Sequence, residues 1–211
     1  MKRIFLVIIS FGILSGLSMA DEKGYLQSAY DAMQAGEYES AIVFYEKAIE
    51  SKDDYAPAWY GRGLAYAHLN KIKESINDLL KAVYLDANIS DAHYALGLSY
   101  IQDGNYTGAI SSLDKAVDLD KTKSDYFYAR GNAFKLNKQY DKALIDFSKA
   151  IDLDPNNGLA FYARGALHKL EGRGDASLRD LEKYIELRGN KDGYEKEVNR
   201  LIQEIREGRV N

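Results

Sequence analysis

Residues 127–131 read FYARG, and the same pentapeptide returns 34 residues later as residues 161–165. A near copy, WYGRG, occupies residues 59–63, twice that interval upstream. An interval kept without insertion means that each stretch is one structural unit and that the next unit repeats its contacts. Laid on a 34-residue period from Glu22, the chain falls into blocks 22–55, 56–89, 90–123, 124–157 and 158–191.

Within this register the fourth positions are Tyr25, Trp59, His93, Phe127 and Phe161, and the eighth are Ala29, Gly63, Gly97, Gly131 and Gly165. The twentieth positions are Ala41, Ser75, Ala109, Ala143 and Ser177, and the twenty-seventh are Ala48, Ala82, Ala116, Ala150 and Tyr184. Between them lie Tyr45, Leu79, Leu113, Phe147 and Leu181 at position 24. Small residues let two helices approach, and the large ones fill the space beside the contact. Gly36, Asn70, Gly104 and the Asn137-Lys138 step punctuate the block centres, and Pro57 and Pro155 stand at block boundaries. Each block therefore reads as two amphipathic helices joined by a turn, with nothing that requires a strand.

The pattern resembles the tetratricopeptide repeat, with an aromatic at 4, Gly at 8, Ala at 20, an aromatic at 24 and Ala at 27. Only Pro155 matches the family's Pro at 32, Ala29 and Ala32 replace Gly and Tyr in the first block, and Tyr184 and Gly189 depart in the fifth. The resemblance implies an all-α fold, a right-handed α-solenoid superhelix of five helix-turn-helix repeats. After them, Tyr194, Val198, Leu201, Ile202 and Ile205 fall on one face of a helix expected within 192–207, which would cap the open end.

The chain begins with Lys2 and Arg3, an apolar stretch to about Leu17, and Ser18-Met19-Ala20 before Asp21-Glu22. This is a secretory signal pattern, so residues 1–20 are expected to be removed after Ala20 and the protein to be periplasmic or secreted, with no membrane span in the mature chain. Loss of Lys2 and Arg3 takes the formal charge from −4 to −6, which disfavours nucleic acid as a partner. Absence of cysteine excludes disulfides and thiolate chemistry. His68, His93 and His168 lie far apart in sequence, and no phosphate-binding glycine loop or nucleophile elbow occurs. No enzyme site, metal site or cofactor is expected.

Arg62, Arg130 and Arg164 at position 7 occur in the same blocks as Asp78, Asp146 and Asp180 at position 23, whereas Leu96 and Ser112 replace both in the third block. Residues that come and go together across an antiparallel helix pair read as one salt bridge per block. The alternative is an arginine row that receives a partner's carboxylates.

The resemblance further implies that positions 2, 5, 9, 12 and 13 line a concave wall. Carried over position by position, the candidate partner-binding residues are Tyr30, Tyr60, Leu64, Tyr94, Leu98, Ile101, Tyr128, Asn132, Lys135, Tyr162 and Lys169. Tyr60, Tyr94, Tyr128 and Tyr162 recur at position 5, where a phenol can bury its ring and present its hydroxyl. The wall is apolar in the first three blocks and gains lysines in the last two, which suits a peptide with apolar and acidic parts. The Lys and Asn set by which chaperone-tail receptors of the family hold a terminal carboxylate is absent; Asn132 alone matches it. The expected function is a non-catalytic scaffold or adaptor outside the cytoplasm that binds a protein or peptide. A homo-oligomer, and a small-molecule carrier with an aromatic pocket, stay open as alternatives.

Overall fold

Glycine at position 8 and a bulky residue at position 24 leave one way to close each helix pair. In the computed structural model, which describes residues 10–188 and 193–209, with side chains from Lys23 onward, a Cβ on Gly63 would stand 2.8 Å from Leu79 Cγ. A Cβ on Gly131 would stand 2.7 Å from Phe147 Cε1. At Gly165 the added Cβ would stand 3.1 Å from Leu181, and Leu79, Leu113, Phe147 and Leu181 are each fully buried. The small residues at position 20, from Ala41 to Ser177, are likewise inaccessible to solvent.

The described residues form eleven helices and no strand: α1 (Ser10–Ala35), α2 (Tyr38–Ser51), α3 (Ala56–His68), α4 (Ile72–Leu85), α5 (Ser90–Gln102), α6 (Tyr106–Leu119), α7 (Ser124–Leu136), α8 (Tyr140–Leu153), α9 (Gly158–Leu170), α10 (Gly174–Arg188) and α11 (Glu195–Arg206). Two compact units divide them at Ser99 and Tyr100, within α5. In the first unit α1 packs on α2, α2 on α3 and α3 on α4; in the second, α6 packs on α7, and the series continues through α11. Residues 1–9 of the expected signal segment, and Gly189 and Lys191 of the fifth block, lie outside the described residues. The expected cleavage point after Ala20 falls within α1.

Every turn inside a pair is built alike. Gly36, Asn70, Gly104, Lys138 and Gly172 adopt positive φ at the same repeat position. Each is followed by a residue whose N–H donates to the carbonyl five residues back, as Lys71 does to Tyr66 and Gln139 to Phe134. This is the Schellman closure of a helix C-terminus. Lys138, and not Asn137, takes the left-handed conformation, so the fourth block places a lysine where glycine or asparagine serves its neighbours.

Three turns between pairs are closed by an aspartate side chain, the last of them around Pro155. The carboxylates of Asp86, Asp120 and Asp154 accept from the backbone N–H of Asn88, Thr122 and Asn156 at 2.9 to 3.0 Å. An Asx turn of this kind stops the helix and reverses the chain, and at Asp86 and Asp120 it does so without proline.

At the C-terminal end, Val198, Ile202 and Ile205 of α11 are buried with Leu181 and Tyr184. Tyr184 fills the space that alanine occupies at position 27 elsewhere, because the element that follows is a cap. Tyr194, expected on the apolar face of that helix, is its N-terminal cap: its carbonyl accepts from Val198 N–H at 2.9 Å, and its side chain is 45% exposed. Gly193, at φ +80°, turns the chain there, and the Tyr194 ring lies 5.2 Å from that of Tyr162.

Candidate interaction surface

The arginine and the first aromatic of the pentapeptide act together. Arg62, Arg130 and Arg164 each make two hydrogen bonds to the aspartate 16 residues later, Asp78, Asp146 and Asp180, with Nε to Oδ2 at 2.7 to 2.8 Å. Each guanidinium also lies over the preceding aromatic, Trp59, Phe127 or Phe161, at 4.9 to 5.7 Å from the ring centre. Cation and ring are therefore held together by their i, i+3 spacing on one helix. Burial alone would pull Arg62 down, but its hydrogen bond to Asp78 and that carboxylate's charge more than offset this and hold the guanidinium above its ordinary value. The same balance raises Arg130, with Asp114 adding to Asp146.

Asp114 was not among the residues singled out from the sequence. Arg130 Nη1 reaches back 16 residues to its carboxylate at 2.9 Å, and Arg164 Nη1 reaches back to Ser148 Oγ at 3.0 Å. Each of these two arginines thus ties its own pair to the second helix of the pair before it. The signal is legible in retrospect at position 25, which holds Glu46, Asp114 and Ser148 ahead of an arginine but Leu80 ahead of Leu96. The arginine row is engaged inside the molecule and is not an open receptor for carboxylates.

The tyrosines at position 5 point away from this ladder. Tyr128 packs its ring 6.0 Å from Phe147, and Tyr162 packs 5.6 Å from Tyr184. Burial, then the charge of Asp91 and the nearby Tyr45, pushes the Tyr60 phenol up to about 12. Burial also raises Tyr128, against a hydrogen bond from Asn132 that lowers it. The Tyr128 and Tyr162 rings thus pack against buried position-24 and position-27 side chains of their own pairs. Tyr94 and Leu64 are half-buried in the first unit, and Ile101 is half-buried in the second.

More open are Tyr30 at 56%, Leu98 at 37%, Leu136 at 40% and Leu170 at 62%, all at repeat position 9 or 13. Lys135 and Lys169 occupy one equivalent position, yet their surroundings differ. Lys169 Nζ lies 3.2 Å from Glu204 Oε2 of α11, and its hydrogen bond holds the Glu204 carboxyl below the usual range. Lys135 has no such partner among the described residues, and burial lowers its ammonium.

His68 stacks on Tyr38 with ring centres 4.4 Å apart, and His93 Nε2 bonds the Ala87 carbonyl at 3.1 Å. His168 is lowered by burial, and its Nδ1 is buried without a hydrogen-bond partner. That ring borders an open depression of about 450 Å³ beside α8, lined by Ile145, Lys149, Asp152 and Arg173 among others. Among the described residues no three His, Asp or Glu side chains are grouped to hold a metal, and no helix is long and apolar enough to cross a membrane.

Family models described as tetratricopeptide repeat match residues 56–89 and 124–157, and one described as TPR repeat matches 30–70 and 97–138. Among solved structures, YrrB, described as a TPR protein with an unusual peptide-binding site, is 24% identical with a TM-score of 0.74, covering 94% of this chain and 98% of that one. MamA 41-end from Desulfovibrio magneticus RS-1 is 21% identical with a TM-score of 0.75, covering 82% and 98%. A thermophilic TPR protein in Thermus thermophilus is 18% identical with a TM-score of 0.67, covering 86% and 99%. No curated protein matches the sequence.

Proposed function

Because the chain belongs to the tetratricopeptide repeat family, a fold that serves protein–protein interaction, we propose that it is an exported, non-catalytic scaffold. In each unit, recognition of a protein or peptide segment falls to the first-helix faces that carry repeat positions 5, 9, 12 and 13: those of α1 and α3 in the first unit, and those of α7 and α9 in the second. One observation carries the reading: large apolar side chains on the first helices stay open to solvent in each unit, Tyr30 and Leu98 at position 9 in the first and Leu136 and Leu170 at position 13 in the second. Within each unit, a peptide laid along the first-helix faces would cover those side chains. A preformed surface of this kind needs little reorganisation on binding. The unusual peptide-binding site of YrrB supports the same kind of ligand.

Export rests on the pattern of residues 1–20. Sequencing the N-terminus of the protein recovered from the extracytoplasmic fraction tests it, with Asp21 as the expected first residue. For binding, crosslinked pull-down with the native protein is compared with a folded Tyr30→Ser, Leu98→Ser, Leu170→Ser variant and with an Ile145→Ser variant beside α8. Partner loss from the first variant alone supports the proposed face. Loss from Ile145→Ser alone moves recognition to the depression beside His168.

A further inference from the structure

We propose that Lys135 is the anchor for an acidic side chain of the bound peptide, an inference that rests on the peptide-binding reading above. Tyr128, Asn132, Lys135 and Leu136 fall on one stripe of α7, at i, i+4, i+7 and i+8. Along that stripe lie a hydroxyl bonded to Asn132, an amide, an ammonium and an apolar side chain that is 40% exposed.

The two equivalent lysines define what is missing at this point. At Lys169 the chain supplies its own carboxylate, Glu204, from a helical segment laid against α9. At Lys135, 34 residues earlier, the ammonium is half-buried and has no carboxylate among the described residues. A partly desolvated cation without a counter-ion is unfavourable in the free protein, and a carboxylate brought to it relieves that cost while gaining a charge-assisted hydrogen bond. Leu136 beside it, and Leu170 at the same repeat position on α9, call for an apolar side chain next to the acid. The occupant that fits is a peptide with a Glu or Asp side chain flanked by Leu, Ile or Phe.

The test is selection of a phage-displayed random dodecapeptide library on the purified full chain, followed by binding of the selected sequence as a C-terminally amidated, fluorescein-labelled peptide. The expected consensus pairs an acid with a neighbouring apolar residue. Changing that acid to Gln in the peptide, or Lys135→Gln in the protein, is expected to weaken binding about tenfold or more. Lys135→Arg should retain most of the affinity. The peptide-side change leaves the protein untouched, so it reads the contact even if a protein variant folds poorly. Peptides that bind equally well with Gln, or equally well to Lys135→Gln, overturn the inference and leave the peptide-binding reading standing. Binding only by the free-acid form of the peptide also overturns it, by making the terminal carboxylate the source. Failure of the native chain to select any peptide removes both.

Discussion

Replacing Arg130 by leucine removes the guanidinium from Asp146, whose side chain is only 4% exposed, while Arg130 itself is 18% exposed. Asp146 would be left as a buried, unpaired carboxylate, a loss of about 3–5 kcal/mol in a fully dry site. Partial access of water to the arginine side reduces this to roughly 2–4 kcal/mol. The second partner, Asp114, is 48% exposed and adds at most about 1 kcal/mol. The third repeat supplies the compensating change, since it carries Leu96 and Ser112 at the corresponding positions. Arg130→Leu with Asp146→Ser should therefore stand within about 1 kcal/mol of the native protein, a coupling of about 2 kcal/mol between the two sites. Urea unfolding followed by circular dichroism gives the four stabilities, and thermal midpoints check them at about 2–4 °C per kcal/mol for a chain of this size. A single variant that loses less than about 0.5 kcal/mol, or a double variant that loses the sum of the two single changes, would refute the reasoning.

Gly131→Ala should destabilise by about 1–3 kcal/mol because its Cβ meets the Phe147 ring at 2.7 Å, and Phe147→Leu should restore part of the loss in the same unfolding assay. Lys138→Gly should stabilise by about 0.5–1 kcal/mol, seen as a higher urea midpoint, because glycine carries no Cβ into the left-handed turn conformation. The Tyr60 phenol should ionise near 12, read as the difference in ultraviolet titration between the native protein and Tyr60→Phe. Its folded value lies above the ordinary value of 10.0, so its contribution to stability is complete below pH 10 and is lost as the pH rises toward about 12. Ending the chain before α11 should expose Leu181 and Tyr184 and produce concentration-dependent aggregation, measured by light scattering.

The spacing of small and large residues made the helix pairs legible, because a close helix contact needs both partners and both are local in sequence. Gly63 with Leu79, and Gly131 with Phe147, are separated by one short turn and recur on the same interval. The arginine–aspartate pairs were legible for a related reason: the third repeat changes both members. Asp114 and Ser148 were missed because each contact to the next repeat's arginine crosses a block boundary, and reading block by block hides it. The sequence also placed Lys135 and Lys169 on one wall as equals. Only the fold shows Glu204 beside one and, among the described residues, no carboxylate beside the other, because the C-terminal helix lies outside the 34-residue register that pairs the rest. Tyr194 keeps the register of the stripe as the cap of α11, its carbonyl accepting from Val198 N–H, but its ring turns to Tyr162 and stays partly exposed.

The most direct test of the central claim is site-specific photocrosslinking in cells, with a benzophenone amino acid placed at Asn132 on α7 or at Ile145 on α8. The account predicts a discrete crosslinked partner from position 132 and none from position 145. A partner captured from position 145 alone would contradict it, placing recognition on the opposite helices and removing the proposed face from function.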